Sequence, residues 1–396
     1  MEDMANETQY KLHLLMDHTC CPLIFEFLTV KDIQALRLTS RASNQASLVE
    51  LKKRYLEKCT IIQFKYSSDI DERINFLGRH GFLGSVEEMS LQHIDRFSGG
   101  GLRVLKNLPK LNTISILGVS STNQDYLEYV CALRRLKNLT FGISKPSLDF
   151  TLKSDISCLF SLNRQYKLES LTLYNIFLKE NDCIDIGKMD SIRSLKLYNC
   201  SGSHFSHIFI GLRERLHSLE LFSLSFDEDL FWDLSYIRTL KNLQIDSVTN
   251  TVELHPLTCL DQLESLTILG IDIKEGFLKD AGQSFQSLHT LELGNCEHIR
   301  GEDMRHISSM KLLQKLSLNN FTHLSRVGIL HLCRSTSLMR LEIRLCQKLS
   351  CSDVEELRHS NSLRQVWIER CYKISEKPAG LCGIDLHIVN PYPSML

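Results

Sequence analysis

The sequence predicts an α/β solenoid, in which each repeat adds one strand to a parallel sheet and returns through a helical segment. Three observations predict this fold. A short apolar pattern typical of a strand recurs along most of the 396-residue chain. Its copies start 23–25 residues apart, with one interval of 32 residues, and the segments between copies have turn-forming residues or helical spacing. Units of this length cannot each hold a separate core, so neighbouring units must share one.

The recurring pattern places apolar residues at positions one, four and six, and an apolar residue or Cys at position nine. Because successive side chains of a strand point to opposite sides, positions four and six should face the core and positions three, five and seven the solvent. Weaker copies begin at Val86, Leu111 and Leu136, with a candidate first copy at Leu56 and a closing strand from Leu381. The clearest copies begin at Leu168, Ile192, Leu216, Leu240, Leu263, Leu288, Leu313, Leu338 and Leu363.

The segments between the predicted strands favour helices. In Leu349–Leu357, Ser352 and Glu355 fit a capping box. The longer interval after Leu136 contains Lys145-Pro146-Ser147, which indicates a long loop or an irregular repeat.

This register resembles the leucine-rich repeat, and units such as CEHIRGEDM and CQKLSCSDV resemble its Cys-containing type. The resemblance implies a curved solenoid with its parallel sheet on the concave face and its helices on the convex face. Such repeats bind other macromolecules, so we expect a binding protein rather than an enzyme.

The 14 cysteines form no CxxC pair at zinc-site spacing. Position nine is a cysteine in four repeats, at Cys200, Cys296, Cys346 and Cys371. A catalytic thiol needs a nearby base or a helix N-terminus, and no such partner recurs beside these residues. We therefore interpret them as buried thiols, without disulfides and without a catalytic role.

The residues before the solenoid keep helical spacing. One interpretation is a cap that covers the open end of the solenoid. The other is an F-box, which the segment resembles in IFEFL (residues 24–28), Asp32-Ile33 and Ser40-Arg41. The sequence departs from that family's pattern at Met16-Asp17, at Ser43 and at Pro22, so both interpretations stay open.

The F-box resemblance implies docking on a Skp-type adaptor of a cullin–RING ubiquitin ligase, while the repeats hold the substrate protein. The apolar adaptor contacts would be Ile24, Phe27, Leu28, Ile33 and Leu36. The chain then divides into a disordered N-terminus (1–11), an F-box-like segment (12–55), the solenoid (56–390) and a C-terminal tail (391–396).

Charge and hydropathy restrict the partners and the location. Lys plus Arg number 46 and Asp plus Glu 47, so the chain lacks the basic field that nucleic-acid binding requires. No segment has a signal-peptide core or the roughly 20 apolar residues of a membrane span. We expect a cytoplasmic or nuclear protein with protein partners and without nucleic-acid or membrane binding.

Two groups on the predicted solvent side of the sheet are candidates for partner binding. The aromatic row consists of Tyr174, Tyr198 and Phe222 at position seven of successive repeats, and Asp246 continues it. Clustered exposed aromatics favour a binding patch, although packing under the loop after Leu136 would also explain them. The C-terminal cluster consists of Arg340, Glu342, Arg344, Trp367 and Glu369.

Other chemistry finds little support in the sequence. His204-Phe-Ser-His207 supplies two imidazoles but no further ligand nearby in sequence, so we interpret the pair as solvated and expect no metal or other cofactor. The leading hypothesis is a substrate receptor of a Skp–cullin–F-box ligase. The alternative is a repeat scaffold or inhibitor that acts without a ligase.

Overall fold

The computed structural model describes residues 60–389, except 66–69, 80, 82, 93–97, 120–124, 134, 144–156, 162–166, 225–228, 248–252, 272, 274–275, 296–297, 375–377, 379–380 and 382. The described residues fall into two compact units, the first ending at Phe177 and the second beginning at Leu178. Each unit repeats the same motif of one strand followed by one helical or irregular segment.

The first unit contains five described strands. Its elements are β1 (Ile61–Lys65), α1 (Ile70–Arg79), β2 (Glu88–Gln92), a 3₁₀ helix (Gly100–Asn107), β3 (Thr113–Val119), α2 (Asp125–Cys131), β4 (Asn138–Ile143), α3 (Ser157–Ser161) and β5 (Ser170–Tyr174).

The second unit contains nine described strands. Its strands are β6 (Ser194–Tyr198), β7 (Ser218–Phe222), β8 (Asn242–Asp246), β9 (Ser265–Leu269), β10 (Thr290–Gly294), β11 (Lys315–Asn319), β12 (Arg340–Arg344), β13 (Gln365–Glu369) and β14 (Asp385–Val389). Its α-helices are α4 (Glu180–Gly187), α5 (Phe205–Leu212), α6 (Leu230–Ser235), α7 (Phe277–Ser284), α8 (Met304–Ser308), α9 (Arg326–Leu332) and α10 (Cys351–Glu355). Its 3₁₀ helices span His255–Cys259, Gly301–Asp303 and Glu356–His359.

Within each unit the strand order is the sequence order, β1 to β5 in the first and β6 to β14 in the second, and the described pairs are parallel. Equal positions of adjacent repeats pair with each other: Leu291 pairs with Leu316, which pairs with Leu341. The prediction of a leucine-rich-repeat solenoid with one parallel strand per repeat is therefore confirmed.

The core contains the side chains that the repeat pattern places there. In the repeat around β10, Leu288, Leu291 and Leu293 are each at most 1% exposed. Strands pack on neighbouring strands and helices on neighbouring helices, so these leucines fill the space between the two layers. Each repeat thus completes its neighbour's core, which is why one repeat alone would not be stable.

A left-handed residue ends most of the strands at position eight. Asn occupies this position four times, at Asn175, Asn199, Asn295 and Asn320, with φ between 50° and 56°. Asn tolerates this conformation better than other non-glycine residues, and Gly270 fills the same position after β9 with φ 65°. Four other residues, Ser223, Ser247, Leu345 and Arg370, adopt the same conformation at this position, with φ between 50° and 56°. Asn and Gly therefore favour the turn but are not required for it, and wherever position nine is described the turn directs it back into the core.

Cysteine suits position nine because the thiol donates a hydrogen bond to a carbonyl oxygen of its own strand end. Cys200 Sγ lies 3.6 Å from the oxygen of Tyr198, and Cys346 Sγ lies 3.4 Å from the oxygen of Arg344. Both side chains are at most 2% exposed. A small, weakly polar side chain thus fills the turn without leaving the carbonyl unpaired.

Three local details differ from the sequence prediction. Ile62 and Phe64 are buried and Ile62 pairs with Met89, so the first strand lies three residues later in register than the copy that begins at Leu56 predicts. The closing strand runs from Asp385 to Val389 and buries Leu386, and it begins two residues later than the pattern from Leu381 requires. Near Leu56 and Leu381, apolar residues fit the repeat pattern in more than one register, so the sequence alone left the positions of the first and last strands ambiguous.

The capping box of α10 also lies two residues earlier than predicted. Ser350, not Ser352, is the N-cap, and Asp353, not Glu355, is its partner. The Ser350 amide donates to Asp353 Oδ2 at 2.8 Å, and the Asp353 amide donates to Ser350 Oγ at 3.4 Å. The short Asp side chain completes the reciprocal bonds here in place of Glu.

Among the described residues, no helix combines the length and the apolar composition that a bilayer crossing requires.

The register makes a direct prediction for stability. Replacing Leu291 with Ala should lower the free energy of unfolding by about 2–5 kcal/mol, because it removes buried methyl groups and leaves a cavity. Cys346→Ala, also in the core, should cost less because it removes a single sulfur atom. Urea denaturation monitored by circular dichroism measures both, and a negligible loss for Leu291→Ala would show that the register is wrong.

Candidate partner-binding face

The sheet face, formed by side chains at positions three, five and seven, is the surface on which a partner can lie. In β6, Leu195 and Leu197 are fully buried, whereas Ser194, Lys196 and Tyr198 are only partly buried. This alternation recurs along β7, β8 and β9. Solvent-side residues of successive repeats therefore form rows across the sheet, about 4.8 Å apart.

The aromatic row contains a direct stack. The rings of Tyr198 and Phe222 lie with their centroids 4.6 Å apart and their planes 14° from parallel. The parallel register pairs these two residues at the ends of β6 and β7. Both rings remain half-buried, so the stack presents apolar surface to the solvent.

Polar contacts hold Tyr198 in one orientation. Its hydroxyl donates to Glu220 Oε2 at 2.6 Å, and Glu220 Oε1 lies 2.8 Å from Lys196 Nζ. Lys196 and Tyr198 lie at positions five and seven of β6, and Glu220 lies at position five of β7. A ring with a fixed orientation loses less conformational entropy on binding than a free ring does.

The other predicted members of the row occupy equivalent places. Tyr174 ends β5 in the first unit, where a Cβ on the adjacent Gly142 would lie 2.7 Å from the Tyr174 Cβ, so Gly142 leaves the room that this tyrosine needs. In the second unit, Asp246 pairs with Phe222 and accepts a hydrogen bond from the Ser247 hydroxyl at 2.8 Å. The stack seen in the second unit is therefore bordered by a carboxylate.

The C-terminal cluster is organised around a buried carboxylate. Glu342 is 3% exposed, and its oxygens lie 3.2 Å from Lys315 Nζ, 2.9 Å from Arg340 Nε and 2.8 Å from Arg344 Nη2. Arg344 also lies 3.5 Å from a carboxylate oxygen of Glu369. The carboxylate thus fixes three cationic side chains, which are themselves about 41–42% exposed.

Trp367 lies at the edge of this charge network, in contact with the His387 ring and the Arg340 guanidinium. Its ring stacks on His387 with a centroid separation of 4.2 Å and an angle of 15°. The guanidinium of Arg340 lies 5.6 Å from the Trp367 ring centroid, within the range of a cation–π contact. Trp367 is still 36% exposed, which leaves a rigid aromatic surface for a partner.

Sequence reasoning missed Lys315, Glu292 and His387 as members of this surface. With them, three cationic and three anionic side chains face each other here, namely Lys315, Arg340 and Arg344 against Glu292, Glu342 and Glu369. For Glu292 and His387 the missing signal was the row at position five, which reads Glu292, Ser317, Glu342, Trp367 and His387 across β10 to β14. Lys315 lies instead at position three, where it pairs with Arg340.

Buried cysteines in this unit are poorly suited to nucleophilic chemistry. Burial raises the pKa of Cys183 to about 12 and that of Cys333 to about 11. The pKa of Cys346 is raised by its hydrogen bond with the Cys371 thiol and by burial. The eight described cysteines are free thiols, and these three stay protonated at neutral pH.

The predicted adaptor contacts Ile24, Phe27, Leu28, Ile33 and Leu36 lie outside the described residues. Their role stays a prediction from the sequence.

Three solved structures are similar to this chain. An internalin (inlF) from Listeria monocytogenes matches with a TM-score of 0.52 at 19% identity, over 81% of this chain and 94% of that chain. Rad7, solved in complex with Elc1 in yeast, matches with a TM-score of 0.46 at 15% identity, over 91% of this chain and 98% of that chain. TLR13, solved with ssRNA13, matches with a TM-score of 0.48 at 16% identity, over 83% of this chain and 55% of that chain.

No protein-family model and no curated protein sequence matches this chain. The internalin likeness supports the repeat fold and says nothing about the partner.

The position of Tyr198 on the sheet face predicts how its removal affects stability. Tyr198→Ala should cost clearly less unfolding free energy than Leu197→Ala, because Leu197 is fully buried and its truncation should cost about 2–5 kcal/mol. Thermal and urea denaturation measure the loss of unfolding free energy in each variant, and the two substituted residues are neighbours in one strand. Equal losses would mean that the tyrosine ring is packed beneath other residues and is not a binding surface.

Proposed function

We propose that this chain is the substrate-recognition subunit of a Skp–cullin–F-box ubiquitin ligase and that it binds its target protein on the sheet face. The observation that carries the binding role is the Tyr198–Phe222 stack, which is fixed by Glu220 and only half-buried. The ligase role comes from the resemblance of the N-terminal segment to an F-box. The proposed location is the cytoplasm or the nucleus.

The aromatic stack has the properties of an interface hot spot. Tyrosine and tryptophan dominate such sites because they combine a large apolar area with few rotatable bonds. Tyr198 has a fixed ring, a neighbouring aromatic surface and, through Phe222, a carboxylate at Asp246 on the next strand. This arrangement fits an apolar side chain of a protein partner that is flanked by a polar or basic group.

The C-terminal cluster supports a protein partner rather than a nucleic acid. Its three cationic and three anionic side chains balance each other, whereas a phosphate backbone requires an excess of positive charge. Arg344 and Trp367 would supply the anchoring contacts, since Arg and Trp are enriched at interfaces. Glu342 holds the arginine before any partner arrives, so little ordering is needed on binding.

The adaptor contact would lie at residues 14 to 47. Ile24, Phe27, Leu28, Ile33 and Leu36 supply the apolar side chains that the F-box resemblance implies. Burial of such side chains in a partner contributes about 1.5–3 kcal/mol each, so one charged substitution among them should abolish the contact.

A scaffold or inhibitor without a ligase is the second candidate function. It is favoured by the departures from the F-box pattern at Met16-Asp17, Ser43 and Pro22. Under this alternative the sheet face binds the same protein partner, and the N-terminal segment only caps the solenoid.

Affinity purification of the full-length chain from cells separates the two functions. The ligase proposal predicts that wild-type protein retains a Skp-type adaptor and a cullin, quantified by mass spectrometry. Leu28→Asp should lose both while keeping the other bound proteins. Tyr198→Ala combined with Trp367→Ala should keep the adaptor and lose the substrate, since such anchors each contribute about 2 kcal/mol or more.

Two results would contradict the proposal. A folded wild-type protein without adaptor would leave only the scaffold function. Substrate capture that is unchanged in the folded Tyr198 and Trp367 double variant would exclude the sheet face. Trp232→Ala, which removes a half-exposed ring on α6, serves as the matched control and should change neither set of partners.

A further inference from the structure

Two adjacent repeats bring three metal-ligating side chains together on the helical side of the second unit. Glu180 is the first residue of α4, His204 is the N-cap of α5, and His207 lies in the first turn of α5. One ligand atom from each of these residues lies within 4.8 Å of the other two. The sequence prediction treated the two histidines as solvated because the third ligand lies one repeat, or 24 residues, before His204.

A close approach of α4 and α5 creates this juxtaposition. A Cβ on Gly187 would lie 2.5 Å from the backbone oxygen of His207, and a Cβ on Gly211 would lie 2.5 Å from backbone atoms of Gly187. Neither position has room for a side chain. The two glycines therefore let the helices touch through their backbones, which places His207 against Glu180.

One of the three distances between ligand atoms is already close to the separation of two ligands of the same metal ion. Glu180 Oε1 lies 3.6 Å from His207 Nε2, and the rings of His204 and His207 have centroids 6.0 Å apart. Ligands at about 2.0–2.2 Å from a tetrahedral Zn²⁺ lie roughly 3.3–3.6 Å from one another. The Glu180–His207 pair matches this separation, and coordination by all three residues requires His204 to move closer by a side-chain rotation.

An ion pair between His207 and Glu180 would explain why these two residues lie close together, but not why His204 lies beside them. A solvent-exposed pair of this kind contributes little to the stability of the fold. Two imidazoles and a carboxylate are instead the donors that Zn²⁺ and similar transition metals prefer, whereas Mg²⁺ and Ca²⁺ prefer oxygen donors.

Neighbouring charge also favours a cation at this place. The positive ends of α4 and α5 disfavour a cation, but Glu180 supplies a carboxylate at the same end. Asp233, in α6 of the next repeat, is a second carboxylate that interacts electrostatically with His207.

We propose that Glu180, His204 and His207 form a binding site for Zn²⁺ or a related divalent transition metal, with water completing the coordination. The bound ion would join α4 to α5 and so stabilise two adjacent repeats. This site is independent of the sheet face and of the proposed ligase function.

Titration of the full-length, chelator-treated protein tests the site. Isothermal titration calorimetry with Zn²⁺ should show one site per chain that Mg²⁺ does not fill, and Zn²⁺ should raise the melting temperature. His204→Gln, His207→Gln and Glu180→Gln should each weaken binding by about tenfold or more, in line with the loss of one of three protein ligands. The Co²⁺-loaded protein should show d–d absorption without a thiolate charge-transfer band, because no cysteine is a ligand.

His255→Gln provides the matched control. His255 Nδ1 forms an exposed contact of 3.1 Å with Asp280 Oδ2 but is not part of a three-ligand group among the described residues. Its replacement should leave Zn²⁺ affinity unchanged. The proposal is overturned if wild-type protein does not bind Zn²⁺, if folded His204→Gln and His207→Gln variants bind as tightly as wild type, or if His255→Gln loses as much affinity as they do.

Discussion

The constraint on which the rest of the structure depends is the shared burial of positions four and six between neighbouring repeats. Leu291 of β10 pairs with Leu316 of β11, and both are at most 1% exposed. Neither residue could be buried by its own repeat, because one strand and its return segment are too thin to enclose a core. The burial of each leucine therefore fixes the register of the next strand, and the register fixes which residues meet on the two outer surfaces.

This constraint explains why both candidate sites consist of residues that are far apart in sequence. Tyr198 and Phe222 stack because they share position seven of adjacent repeats. Glu342 meets Lys315 for the same reason, one strand apart on the sheet face. On the helical side, the register brings Glu180 next to the histidines of the following repeat. Function in such a fold depends on rows across repeats more than on local motifs.

The repeat pattern predicted the elements that recur in each unit. It did not predict the contacts between side chains of different repeats, because it was compared only with neighbouring residues along the chain. The buried leucines, the half-exposed aromatic positions and the cysteine at position nine followed directly from the spacing. The first strand was misplaced because Leu56, Cys59 and Ile62 all fit an apolar position, and only pairing with Met89 selects the last. Lys315, His387 and Glu180 were missed because their partners lie one repeat or more away, and the charge network around Glu342 depends on side-chain orientation, which periodicity does not encode.

Binding of a protein partner to the sheet face is tested most directly by hydroxyl-radical footprinting of the purified complex against the free chain. The two sides of the second unit carry comparable reporters: Tyr198, Phe222 and Trp367 on the sheet face, and Trp232 and Tyr236 on the helical side, which are 50% and 60% exposed. Our account predicts that partner binding reduces oxidation of the first group and leaves the second unchanged. Protection of Trp232 and Tyr236 with unchanged oxidation of Tyr198, Phe222 and Trp367 would contradict it.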